Sequence, residues 1–98
     1  MHDKQELRER TERGIQAQSL MEHPLFKEAL ALLTQSVLNE FAATKPKDTA
    51  TLQLCRIKLQ VANDFKEVFR IFAYDGANAT AELKQIDKID AVQRVNRG

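Results

Sequence analysis

The sequence predicts an all-α protein, and three observations lead to that fold class. Long stretches carry apolar residues at the three- and four-residue spacing of a helix face. Both prolines, Pro24 and Pro46, stand just before such a stretch and not inside one. Acid-first pairs at i,i+4 strengthen the polar N-terminal segment. The predicted elements are an N-terminal helix (about 3–22), an antiparallel helical hairpin (about 24–43 and 48–74), and a weaker C-terminal helix or tail (about 79–95).

The N-terminal helix is mainly polar. Its supporting charge pairs are Glu6 with Arg10 and Glu9 with Arg13. Gly14 weakens its middle by roughly 1 kcal/mol relative to alanine. A thin apolar stripe follows one face and consists of Leu7, Thr11, Gln18 and Met21. We therefore expect this helix to need a partner surface.

The second helix begins at Pro24, which fits a first helical turn because its missing N–H has no partner there. At 100° per residue, its large apolar side chains fall within about 80° of one another. They are Phe26, Leu30, Leu33, Val37 and Phe41. The helix is expected to end near Ala43, because a residue that precedes proline is pushed out of the α region.

The third helix begins after a cap at Asp48 or Thr49. A strand was the alternative, since Ile57, Leu59 and Val61 alternate with polar residues. The helix explains more, because apolar residues from Leu54 to Phe72 occupy one arc of about 160° and charged residues fill the other side. Asp75 and Gly76 predict its end.

The predicted end of the third helix at Gly76 marks a domain boundary. The helical domain covers 1–76, and a separate segment covers 77–98. A five-residue connection makes the second and third helices antiparallel neighbours, so their apolar faces are expected to pack together. In the last segment the apolar residues recur every three positions and sweep about 240° around a helix. They are Leu83, Ile86, Ile89, Val92 and Val95. This segment is either a helix with several neighbours or a tail that orders on binding.

Composition narrows the class of protein. The 15 basic and 14 acidic residues give a net charge of +1, without the basic excess typical of nucleic-acid binders. The single Cys55 leaves no internal disulfide and suits a reducing compartment. No apolar run approaches the length of a membrane span. The charged start, "MHDKQELRER", lacks the core of a signal peptide.

The sequence predicts no enzyme, cofactor or metal site. His2 and His23 form no pair at metal-ligand spacing with each other or with Cys55. Cys55 lies at the edge of the apolar arc, where a buried structural thiol is expected. The three glycines are isolated, so no phosphate-binding loop is present. Asp87 and Asp90 are expected to be solvated.

Apolar residues on the second helix and in the last segment are the candidate interface. The N-terminal helix or a protein partner would cover them. The candidates are Leu25, Phe26 and Leu32 on the second helix and Leu83, Ile86 and Ile89 as a docking segment. A basic strip of Arg56, Lys66 and Arg70 is the candidate nucleic-acid contact. Glu67 interrupts it and no aromatic residue is interleaved, so a solvated, partly charge-paired face is the alternative.

The stretch "RERGIQAQSLMEHPLFKEALALL…NEFAATKPKDTATLQ" resembles small helical proteins encoded among the head and packaging genes of tailed bacteriophages. The likeness covers about residues 10–72. The matching residues are Glu12-Arg13-Gly14, Leu20, Glu22, Pro24-Leu25, Pro46 and Asp48. Phe41 stands where tryptophan is expected, and the segment after Gly76 has no counterpart in the pattern.

This resemblance implies a non-enzymatic virion or assembly protein that forms a homo-oligomer through helix–helix contacts, in the virion or the host cytoplasm. Other phage structural proteins or a host protein are the expected further partners. Two alternatives stay open: a small phage inhibitor of a host enzyme or defence complex, and a DNA-packaging or regulatory DNA-binding factor.

Overall fold

The protein is all-α in a computed structural model that describes residues 3–97, with side chains up to residue 95. The three helices are α1 (Lys4–Glu22), α2 (Pro24–Ala43) and α3 (Thr49–Arg97). No strand occurs in the described residues. The predicted fold class is therefore confirmed.

Side chains at the helix starts satisfy backbone N–H groups that have no partner within the helix. His23 precedes α2, and its Nδ1 accepts a hydrogen bond from the Leu25 N–H at 3.1 Å. Asp48 precedes α3 and accepts from the Thr51 N–H at 3.1 Å. Hydrogen bonds from the Thr51 side chain and backbone hold the pKa of Asp48 below its ordinary value. Both helices thus begin at capped ends.

The predicted end of the third helix at Asp75 and Gly76 is wrong. α3 continues through both residues to Arg97, and no described glycine has positive φ. Gly76 is buried inside the helix. A terminating glycine normally adopts a left-handed conformation, whereas here glycine lets another helix approach closely. Residues 77–97 therefore continue α3 and do not form a separate tail.

The chain divides into two compact units. The terminal unit combines Met1–Gln18 with Phe69–Gly98, and the middle unit is Ser19–Val68. In the terminal unit α1 runs antiparallel to the last part of α3. Its buried apolar side chains are Leu7, Ala17 and Ala79.

Two glycines bring the backbones of the terminal unit together. A Cβ atom placed on Gly14 would lie 2.7 Å from the Gly76 Cα and 2.9 Å from the Phe72 carbonyl oxygen. Such distances leave no room for a methyl group at either glycine. The buried face of α1 consequently includes Gly14 and Ala17, whereas Gln18, which the sequence placed on the apolar stripe, is exposed.

Ion pairs flank this glycine contact. The Arg10 guanidinium donates to both carboxylate oxygens of Asp75, at 2.7 and 3.0 Å, and Arg13 adds a bond of 3.2 Å. The bonds from Arg10, followed by those from Arg13, hold the pKa of Asp75 below its ordinary value. Further along, Lys4 Nζ lies 2.7 Å from Asp90 and 3.4 Å from Asp87. Charged residues therefore pair between the helices near the start of α1 and beside the glycine contact.

The middle unit brings α2 against the first part of α3. The rings of Phe26 and Phe65 lie 6.4 Å apart, and Lys58 Nζ lies 3.1 Å from Glu40. Among its apolar residues, Val37 and Cys55 are the ones that are buried. The contact between α2 and α3 thus leaves much of the apolar surface of this unit uncovered.

Candidate protein-interaction surface

Among the exposed large apolar residues of the middle unit, six that lie on one side of α3 and beside it on α2 are between 43% and 60% exposed. We call this set the apolar face. Its members are Leu33 on α2 and Leu54, Ile57, Val61, Phe65 and Val68 on α3. Scattered exposed leucines are ordinary in folded proteins, but a contiguous set of this size is typical of an interaction site.

The members of the apolar face lie together along α3 and across the groove from it on α2. The α3 members recur at steps of three and four residues, which places them within about 80° of the helix circumference. Between α2 and α3 lies an open groove of about 370 Å³ bordered by Leu33, Ile57, Val61 and Phe65, with the buried Val37 also in its lining. The apolar face is therefore a grooved surface and not a single ridge.

The sequence assigned most of these residues to the core between the two helices, and their exposure corrects that assignment. An arc of about 160° is wider than the stripe that one neighbouring helix covers. In this unit Cys55 is fully buried and Ala62 is half-buried, while Val61 and Phe65 stay open. The width of the arc, visible in the sequence, was the signal that more than one helix is needed to cover it.

Two of the predicted interface residues on α2 point away from the apolar face. Leu25 and Leu32 are 65% and 63% exposed, about 80–100° around the helix from Leu33. Phe26 is half-buried and faces the Phe65 ring. Leu25 and Leu32 therefore form a second exposed apolar surface, and Phe26 contributes to the contact within the unit.

The predicted docking segment lies in the terminal unit. Leu83 and Ile86 are half-buried, whereas Ile89 is 48% exposed. Ile89 and Val92 line a shallow groove of about 430 Å³ on α3. Ile89 is thus the predicted docking residue with the most accessible side chain.

The structure divides the predicted basic strip between the units. Arg56 and Lys66 are exposed in the middle unit, and Arg70 belongs to the terminal unit. Lys66 borders a groove of about 580 Å³ together with Lys27, Phe26 and Leu30. Lys66 is therefore grouped with Lys27 and apolar side chains, a pairing that sequence reasoning missed.

The cysteine and the described histidine, the side chains with the most reactive chemistry, serve the fold. The Cys55 thiol is buried, as the sequence predicted, and His23 caps α2. Within the described residues, no three histidine, cysteine or acidic side chains are placed to share a metal ion. In the same part of the chain, no helix combines the length and apolar character required to cross a membrane.

Comparison with family models, curated proteins and solved structures finds no match to this chain.

Proposed function

We propose that the protein is a non-enzymatic assembly protein of the tailed-bacteriophage type that self-associates through helix–helix contacts. The observation that carries this proposal is the apolar face of the middle unit. In the proposed arrangement α2 and the first part of α3 form an antiparallel hairpin. The contacts from Phe26 to Phe65 and from Glu40 to Lys58 support that direction.

Energetics support a partner for this hairpin. A large apolar side chain gains about 1.5–3 kcal/mol when it is fully buried. The six members of the apolar face realise roughly half of that gain, because about half of each residue is in water. A pair of helices is a small core, and association is a common way to complete such a core.

A binding role fits the chemistry of the side chains better than a catalytic role. Cys55 is fully buried, so its sulfur is shielded from a substrate. His23 uses Nδ1 to cap α2. The charged side chains that approach one another closely pair acid with base, as in Arg10 with Asp75. Such pairs orient helices and do not resemble a nucleophile held beside a base.

The phage context rests on the resemblance of residues 10–72. It implies a place in the virion or the host cytoplasm, with other phage structural proteins or a host protein as further partners. Leu25 and Leu32, exposed on a second side of α2, are residues we propose for contacts between copies of this chain. Ile89 is the corresponding residue in the terminal unit.

The mass of the protein in solution tests this function. Size-exclusion chromatography with light scattering is expected to give a multiple of the 11.2 kDa chain mass, and Leu32→Asp is expected to lower it. An unchanged mass in Leu32→Asp would remove Leu25 and Leu32 from the interface. A wild-type monomer at all accessible concentrations would contradict self-association and favour the inhibitor, which should retain one host protein stoichiometrically. Duplex DNA binding that weakens steeply with salt would favour the DNA-binding alternative.

A further inference from the structure

We propose that a second copy of this chain covers the apolar face, with the two α3 helices antiparallel and Val61 on the twofold axis. This inference rests on the proposed function, since it specifies the surface and geometry of self-association. The occupant is a second copy because the spacing of the face matches itself.

The spacing along α3 is symmetric about Val61. The members of the apolar face that lie on α3 are Leu54, Ile57, Val61, Phe65 and Val68. Their steps of three, four, four and three residues are the same in both chain directions. A twofold axis at Val61 between antiparallel helices therefore brings Leu54 opposite Val68 of the second copy. It also brings Ile57 opposite Phe65 of the second copy.

A twofold contact requires a self-complementary patch, because each residue meets a residue of the same patch. The symmetric spacing of α3 supplies that property, which an unrelated partner would not require. The groove beside it adds shape: Leu33 stands on one wall and Phe65 on the other. Ridges of one copy that enter the groove of the other give the packing of a four-helix bundle.

The area of the fully covered face would approach the lower bound for a specific dimer. Each of the six residues is about half exposed, which corresponds to on the order of 100 Å² apiece for large apolar residues. The apolar face therefore offers roughly 600 Å² per copy. Specific protein interfaces bury about 600–1,000 Å² per partner, so the apolar side chains alone reach the lower bound before any polar rim is counted.

The polar border of the face is compatible with a second copy. Lys58 borders the groove and pairs with Glu40 at 3.1 Å, with both side chains partly exposed. A cation and an anion that are already paired at the edge add no net charge to the contact. Like-charge repulsion between two identical faces, which is destabilising at interfaces, is thereby limited.

Disulfide cross-linking tests the position of the axis. Val61→Cys is expected to give a covalent dimer on mild oxidation, since the two introduced thiols meet at the axis. The matched control is Asn63→Cys, an exposed position about 160° around α3 from Val61. The native Cys55 is fully buried and stays in both variants.

Two further variants test whether the two α3 helices run antiparallel. A mixture of Leu54→Cys and Val68→Cys is expected to cross-link into a heterodimer, while each variant alone stays at the level of Asn63→Cys. Cross-linking of Leu54→Cys alone, without the mixed product, would show parallel helices and overturn the proposal.

Solution mass separates this inference from the proposed function. Val61→Asp is expected to halve the mass of the smallest assembly, and Asn63→Asp is expected to leave it unchanged. If the wild-type protein self-associates but Val61→Asp keeps its mass and Val61→Cys does not cross-link, the apolar face is the wrong surface and self-association stands. If the wild-type protein is a monomer throughout, both proposals fail.

Discussion

The terminal and middle units bury different residues where their helices meet. In the terminal unit, α1 and the last part of α3 bury Leu7, Ala17 and Ala79 around a contact between two glycines. In the middle unit, the buried apolar residues are Val37 and Cys55, and the six residues of the apolar face stay about half exposed. Small residues therefore line the close helix contact of the terminal unit, and large residues border the helix contact of the middle unit.

The difference follows from how closely two helices approach. Glycine lets the backbones meet, so a narrow stripe on each helix is enough to exclude water, and charged residues beside the stripe can pair across it. Phenylalanine and branched side chains hold helices further apart and extend over a wider arc. A wide arc needs more than one neighbouring helix, so the middle unit is the one for which we propose a partner.

The largest expected effect compares the same deletion in the two units. Leu7→Ala removes a side chain with no exposed surface, so it should lower the free energy of unfolding by about 2–5 kcal/mol. Leu33→Ala removes a half-exposed one, with an expected cost of about 1 kcal/mol in dilute solution. Thermal unfolding followed by circular dichroism measures both. Equal losses in dilute solution would contradict the contrast between a closed and an open unit.

A smaller change in the free energy of unfolding is expected at the glycine contact, and whether stability rises or falls decides the interpretation. Gly14→Ala should raise the intrinsic helix propensity of α1 by roughly 1 kcal/mol. The added methyl would lie 2.7 Å from the Gly76 Cα, so the free energy of unfolding should nevertheless fall by about 1–3 kcal/mol. Urea unfolding provides the measurement, and Gln16→Ala, at an exposed position of the same helix, is the control. A Gly14→Ala variant more stable than wild type would mean that the backbones do not meet.

The smallest expected effect concerns the pH dependence of the terminal unit. Bonds from Arg10, and then from Arg13, lower the folded-state pKa of Asp75 below its ordinary value of 3.8. The stabilisation is therefore fully present above pH 3.8 and is lost as the pH falls through the lower folded-state pKa. Asp75→Asn should flatten the fall in melting temperature below pH 4.

The control for this measurement is Asp64→Asn, the same substitution at an exposed aspartate that accepts a hydrogen bond from Gln60. An acid profile of Asp75→Asn as steep as that of wild type would show that the bonds to the arginines contribute no pH-dependent stability. The prediction concerns the slope, because Asp48 and Asp90 also have lowered pKa values.

Local patterns in the sequence are enough to predict the all-α fold class. Apolar spacing and the positions of Pro24 and Pro46 predict helices without reference to distant residues, and the all-α class is confirmed. The observed α2 spans Pro24–Ala43 and α3 begins at Thr49. These are features that a window of a dozen residues contains.

The features that sequence reasoning missed depend on residues far apart in the chain. Asp75 and Gly76 resemble a helix end when they are viewed locally. Their partners, Arg10 and Gly14, lie on another helix, and the bond from Arg10 to Asp75 spans 65 positions. The apolar arc of α3 was visible in the sequence, but its spacing alone does not give the number of helices that cover it.

The glycine contact also restricts the alignment of α1 along α3. A shift of α1 by one position would move Gly14 by 1.5 Å and turn it by about 100°, which would direct the side chain of Arg13 or Ile15 toward Gly76. Arg10 would leave Asp75 in the same movement. A one-position shift would therefore clash at the glycine contact and break the Arg10–Asp75 pair, so the contact fixes the register of α1 on α3.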